Sequence, residues 1–354
     1  MNKINQSVFI LLCFAFLGLI ACTQKTQPEE LSTTEQQAQA ASSTPQPKQT
    51  QKPPSQLFPI TKNGKEGFID RTGKLFIQPQ YELAFGFSEG LAPVSLNSKW
   101  GYINPMGKIV IQPQFEEASV FSEKLAAVKI GDKWGYINQT GKIAIKPQFA
   151  EVEDFSEGLA AVKIGNKWGY INPKGQAVIK PVYDEVTLFS EGLAAVKSGK
   201  KWGHIDKTGK VAVKIIFDDN SVFSEGLTSV KIGNKWAFLD RKGKIVIKPI
   251  FDETSIFSEG LAPAKMGSKW GFTNRKGFLA IKPQFDEVNV FSEGLATVKI
   301  GNKWGFIDKT GKMVIKPQFD EVDGFSDGLA TAIGNDGKIG YIDRTGKFVW
   351  QPTN

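Results

Sequence analysis

One histidine and two cysteines occur in 354 residues. A zinc centre built from four Cys or His ligands is therefore out of reach. No serine has a histidine in a nucleophile-activating context. His204 itself occupies a position where equivalent segments place Tyr136, Tyr170 or Phe306, so it reads as a substituted aromatic on a strand. Unlike environments for a pair of catalytic carboxylates are also missing, because the acidic residues recur in near-identical surroundings. The expectation is a chain that is not an enzyme, with no catalytic residues, no metal and no cofactor. A further absence is a membrane-spanning run: the longest apolar stretch, residues 8–22, is shorter than a bilayer span.

That stretch follows Lys3 and ends Leu19-Ile20-Ala21-Cys22. The arrangement fits a signal-peptide core over residues 1–21. The four final residues resemble the lipobox of bacterial lipoproteins. The resemblance implies that Cys22 is acylated on sulfur, becomes the N-terminus and is acylated again. Three acyl chains, at about 0.8 kcal/mol per buried methylene, hold a protein on a membrane essentially permanently. Thr23 in place of aspartate implies, by the same resemblance, the outer membrane, with the protein facing the periplasm or the cell surface. An ordinary cleaved signal is the alternative. Residues 23–56 are rich in Gln, Thr, Ser and Pro, contain no aromatic, and balance three lysines with three glutamates. Such a segment cannot bury enough apolar surface to order itself, and reads, together with Cys22, as a lipidated tether over residues 22–56.

From Leu57 to Asn354 one sentence is written nine times. Trp100, Trp134, Trp168, Trp202, Trp236, Trp270 and Trp304 recur at a constant interval, and Glu66 and Ile339 stand at the same position in the first and last copies. Glycine and proline interrupt every copy too often for paired helices, and the segments between them are rich in Val, Ile, Tyr, Phe and Trp. Each unit parses into three strands. In one copy these are Leu159–Ile164, a turn at Gly165-Asn166 and Lys167–Asn172. A turn closed by a glycine present in every copy follows, and then a strand such as Lys312–Phe319. The proline of that third strand removes a backbone donor and marks its end or an exposed edge. A connector, Phe285–Gly294 for example, leads to the next unit.

A three-stranded meander is marginal alone. Burying one indole contributes about 5 kcal/mol gross, and that surface needs a neighbouring copy to cover it. The tryptophans are accordingly expected to form the core between units, ahead of an exposed ladder for sugar rings. The Trp-Gly pair, the turn glycine and the FSEGL connector resemble the bacterial WG-repeat (KWG-repeat) family. Gly101, Gly135, Gly169, Gly203, Gly271 and Gly305 carry the second half of the pair, and Ala237 departs from it. The fold expected is all-β, tandem repeats of three-stranded meanders forming an open hairpin superhelix. A closed propeller-like ring is the alternative, open to the chain if the connector's Asp-Glu-Val stretch supplies a fourth strand.

The formal net charge of +8 falls on the repeats. Lys133, Lys167, Lys235 and Lys303 beside the tryptophans, and Lys146, Lys180, Lys248 and Lys316 before the prolines, form a stripe suited to an anionic polymer. Guarding exposed strand edges against aggregation is the competing explanation. The recurring acidic pairs Asp184-Glu185, Asp252-Glu253 and Asp286-Glu287 offer oxygen ligands for calcium, but nearby lysines account for them equally. The reading is a membrane-anchored binding or scaffolding domain of the cell envelope. Its expected partners are the membrane through the N-terminal lipid and an envelope protein, anionic glycan or peptidoglycan, with no nucleic acid. A structural spacer is the second reading and an envelope hydrolase a distant third. Binding requires the variable connector positions, such as Asn289-Val290 against Asp323-Gly324, to gather in one exposed place. A spacer does not.

Overall fold

A computed structural model describes residues 54–334 and 337–351. The signal segment, Cys22 and the tether up to residue 53 lie outside the described residues. Lys52–Asn354 forms one compact unit, composed of nine antiparallel sheets that follow one another along the chain.

Each regular sheet has four strands in sequence order. In the third, these are Glu117–Ala118, Leu125–Ile130, Lys133–Asn138 and Ile143–Phe149. The three long strands are those read from the sequence. The first, two residues long, is the connector's acidic stretch, and it pairs Glu117 with Lys129 and Ala118 with Val128. It comes from the tail of the preceding repeat, so every tail is handed to the next sheet. The sheets are therefore the blades of a propeller, numbered one to nine here in chain order. Blade 1 has three strands among the described residues, Phe58–Lys62, Lys65–Ile69 and Leu75–Tyr81, because no earlier repeat donates a tail.

The open superhelix gives way to the closed ring. Nine apolar clusters fill the spaces between blades, each combining residues of two neighbours. An open row of nine blades has eight such spaces. The ninth cluster joins Phe58, Ile60 and Ile69 of blade 1 to Leu329, Tyr341 and Val349 of blade 9. There the Phe58 and Tyr341 rings lie 5.5 Å apart, and the Tyr341 hydroxyl donates to the Pro59 carbonyl at 2.9 Å. Both faces of every blade are apolar, so an open row would leave two such faces in water. Closure covers both. All nine interfaces lie within this unit, so it is equipped to fold without the residues that precede it.

The fourth strand is the outer edge and carries a bulge. Trp134 pairs with Phe149 while Tyr136 pairs with Ile145, leaving Lys146-Pro147-Gln148 looped over the residue between. That residue is Gly135, where a Cβ would lie 2.5 Å from the Ile145 carbonyl oxygen and 2.7 Å from the Pro147 nitrogen. The glycine of the Trp-Gly pair is thus favoured by close backbone passage, not by a turn. Ala237 shows that blade 6 accommodates one methyl at this crossing, with the same bulge.

Candidate functional site

The chain's most repeated words, Phe-Ser-Glu-Gly, build the inner circle. In each copy the phenylalanine enters the cluster between blades, as Phe155 and Phe189 do. The serine closes its own turn through its backbone, which exchanges hydrogen bonds with Leu159 at Ser156, while its side chain bonds to the next copy. Ser156 Oγ donates to the Phe189 carbonyl at 2.8 Å, and Ser190 Oγ repeats the bond to Phe223 at 2.8 Å. The glutamate sits in the left-handed region, φ 53 at Glu191, followed by Gly192 at φ 77. Its carboxylate reaches forward to the next copy, where Glu191 Oε2 accepts from the Gly226 N–H at 2.9 Å. Separation between equivalent points grows with distance from the axis of a ring. Turns that bond to their own copies one repeat away are therefore innermost, and the two-residue strands beside them line the axis.

A second link joins these turns from further out. The turn between third and fourth strands places a cation on the preceding blade's glutamate: Lys207 on Glu157 at 3.0 Å and Lys309 on Glu259 at 2.9 Å. Across the closure, the Arg71 side chain lies against Gly328. The turn glycine packs on the preceding blade's fourth strand. A Cβ at Gly175, φ 77, would come 3.1 Å from Ile145 Cγ2.

The tryptophans are half-buried, which corrects the expectation that they form the core between units. They flank that core, as Trp134 and Trp168 do, while its centre is taken by the aromatic two residues on. Tyr102, Tyr136 and Tyr170 are buried and donate to the carbonyls of Ser119, Glu153 and Thr187 at 2.7 Å. The indole instead ends a cross-strand ladder. Lys163 lies over the Trp168 ring, 5.7 Å from its centroid, and pairs with Glu151 at 2.7 Å. The same ladder recurs at Trp134, Trp202, Trp270 and Trp304. A lysine therefore covers the ring face that a sugar would need. In blade 2, where Ser95 replaces the lysine, Phe85 stacks on Trp100 at 5.1 Å and 8°.

Eight consecutive segments, spanning residues 67–338, match the family profile described as the WG containing repeat. The chain belongs to the WG containing repeat family. No curated protein matches it. Among solved structures, a crystal structure of a eukaryotic initiation factor is similar at TM-score 0.60 and 12% identity, over 84% of this chain and 95% of that one. BamB from Moraxella catarrhalis aligns at TM-score 0.47 and 9% identity over 73% and 95% of the two chains. The designed protein Ika8 aligns at 0.45 and 11% over 73% and 94%. At such identities the likeness is one of fold alone.

The lysines of the WG motif are partly committed. Lys167 pairs with Asp184 at 2.6 Å, Lys235 with Asp252 at 2.7 Å and Lys303 with Asp320 at 2.6 Å. Hydrogen bonding from Lys167 and then from the Gly199 N–H holds the Asp184 carboxyl below the usual carboxylate range. Lys133 has Ala150 where its neighbours have Glu116 and Asp184. The recurring acidic pairs are thus engaged by lysine, Asp184 through Lys167 and Glu185 through Lys197.

His204 is fully buried in the tyrosine position and keeps the tyrosine's bond, with Nε2 3.0 Å from the Ser221 carbonyl. Burial depresses its pKa to about 4, so Nε2 donates as the neutral tautomer. Its ring meets Phe223 edge-on at 4.7 Å.

WG-repeat variation concentrates where the short strands end. The positions after them read Phe85, Ser119, Glu153, Thr187, Ser221, Ser255, Asn289 and Asp323, and Asp154 stands where the other copies place an apolar residue or glycine. Ser119 Oγ donates to Asp154 Oδ1 at 2.6 Å across two blades. Burial raises the Asp154 carboxyl's pKa, against that hydrogen bond. Glu153 is solvent-exposed, yet surrounding protein and then the Asp154 charge push its carboxyl up. Exposure to solvent with protein on every side is what the wall of an axial channel provides. The sequence marked these positions as variable but gave no sign that a closed ring would converge them.

Proposed function

We propose that the protein is a membrane-anchored lipoprotein whose WG-repeat ring is a non-enzymatic binding scaffold of the cell envelope. The observation that carries the reading is the convergence of the variable connector positions at the inner edge. Repeated residues are spent on holding the ring: the Phe-Ser-Glu-Gly belt, the Glu-Lys-Trp ladder and the two structural glycines. What differs from blade to blade faces the axis, in a wall that mixes carboxylates, hydroxyls and amides. A spacer has no need of such a gathering.

Cys22 holds the chain at the outer membrane through its acyl chains, and the tether sets the ring's reach. Labelled palmitate is incorporated into the wild-type chain and not into Cys22→Ala if this is right, and into neither if it is not. Ligand binding is tested by titrating purified envelope proteins and peptidoglycan fragments against the ring and against Glu153→Gln/Asp154→Asn. Binding that the double variant weakens supports the scaffold. Binding to none of these probes favours the spacer.

A further inference from the structure

We propose that the outer edge of blades 4 to 6 is a docking surface for an anionic lipid bilayer. This deepens the envelope reading but does not depend on the lipid anchor.

The residue after the bulge position is exposed on the outer strand of blades 1 to 8. It is glutamine in Gln80, Gln114, Gln148, Gln284 and Gln318. Three consecutive blades break the rule together, with Val182, Ile216 and Ile250, which are 54%, 57% and 43% exposed. Blades 3, 7 and 8 form the same seven-residue outer strand with glutamine there, so the strand itself does not ask for an aliphatic. A lysine two residues earlier, on the same side of each strand, accompanies each of them: Lys180, Lys214 and Lys248. All three are exposed, and none makes an ion pair among those of the described residues. Blade 5 also replaces the bulge proline with Ile215.

Three adjacent strands thus present aliphatic side chains in rows with uncommitted lysines along one arc of the circumference. Exposed aliphatics repeated at one position of three consecutive blades, where the others carry glutamine, mark an interaction site. Its charge selects an anionic partner, and the aliphatics select one with an apolar layer beneath the charge. The arc lies on the outside of a ring, so it meets a flat surface more readily than it encloses a helix. An anionic bilayer supplies headgroups for the lysines and an acyl boundary for the valine and isoleucines.

The test uses residues 52–354, which lack both the signal segment and Cys22, so failure here leaves the anchor reading untouched. Partition onto phosphatidylglycerol/phosphatidylcholine vesicles is measured by co-sedimentation, with pure phosphatidylcholine vesicles alongside. Val182→Gln/Ile216→Gln/Ile250→Gln restores what other blades carry, retains every lysine and is expected to fold, which its circular dichroism checks. Val110→Gln/Val314→Gln removes exposed apolar side chains from blades 2 and 8. The expected result is binding to the anionic vesicles that falls at least five-fold in the triple variant and stays unchanged in the double variant. Equal binding by all three proteins, or no binding by the parent, overturns the proposal. So does concentration-dependent self-association of the parent that the triple variant abolishes, because the arc would then join two copies.

Discussion

His204 and Thr228 face each other between blades 5 and 6, with Thr228 Oγ1 3.5 Å from His204 Nε2. Between other consecutive blades this pair is an aromatic and an alanine, such as Tyr136 with Ala160 or Tyr170 with Ala194, and across the closure it is Tyr341 with Phe58. Threonine fills what the shorter imidazole leaves open, and its hydroxyl shares the Ser221 carbonyl at 2.7 Å. Two side chains have changed in step within one molecule.

The exchange predicts a non-additive mutant cycle. His204→Tyr alone crowds Thr228 and destabilises, by about 1–3 kcal/mol as overpacking does. Thr228→Ala alone opens a gap. The double variant restores the arrangement of other blades and recovers most of the loss. Chemical denaturation of all four proteins measures the coupling.

The same histidine gives a pH signature. Its folded pKa of about 4 lies below the ordinary 6.5, so the unfolded chain takes up its proton first as pH falls. The stability this site retains is full above about pH 6.5 and is lost progressively toward pH 4, by about 3 kcal/mol in all. Asp154 and Glu153, with raised pKa values, act oppositely and lose stability as pH rises through their folded values. Comparing wild type with the His204→Tyr/Thr228→Ala double variant isolates the imidazole. The stability difference between them should widen between pH 6.5 and 4 and stay flat above.

Glycines that look alike in the sequence should respond differently. Gly169→Ala puts a methyl 2.5 Å from the Ile179 carbonyl oxygen and is expected to cost about 2–4 kcal/mol. Gly165, φ 60, has open space around its Cβ position. Alanine there meets only the left-handed backbone penalty, about 1 kcal/mol. Thermal melts of both variants rank them.

The inner belt makes a further prediction. Ser190→Ala removes a buried hydroxyl that satisfies the Phe223 carbonyl, at about 1–2 kcal/mol. The loss should fall on the junction between blades 5 and 6, so amide exchange accelerates there first and not in blades 1 and 2.

Much of this was legible in the sequence, because a repeat displays its own tolerance. The three long strands, the turn glycine and the edge position of the proline follow from residue type and spacing. Closure did not, because the curvature per blade depends on how Phe155 and Tyr136 meet between neighbours, and no local pattern records an angle. The tryptophan misleads. It is the chain's most regular large residue, yet the covered central position belongs to Tyr136 or Tyr170, and only the register against Lys129 and Glu117 shows why the indole stays half outside. His204 was read as a substituted aromatic, and it occupies the aromatic's place and keeps its hydrogen bond.

The closed ring is the claim on which the inner wall and the outer arc both rest. Pulsed dipolar spectroscopy on spin labels at Thr72 and Thr345, equivalent turn positions in blades 1 and 9, tests it directly. The reference pair is Thr140 and Lys174, the same positions in the adjacent blades 3 and 4. A ring predicts matching distance distributions for the two pairs. A Thr72–Thr345 distance several times the reference would mean that the blades form an open row.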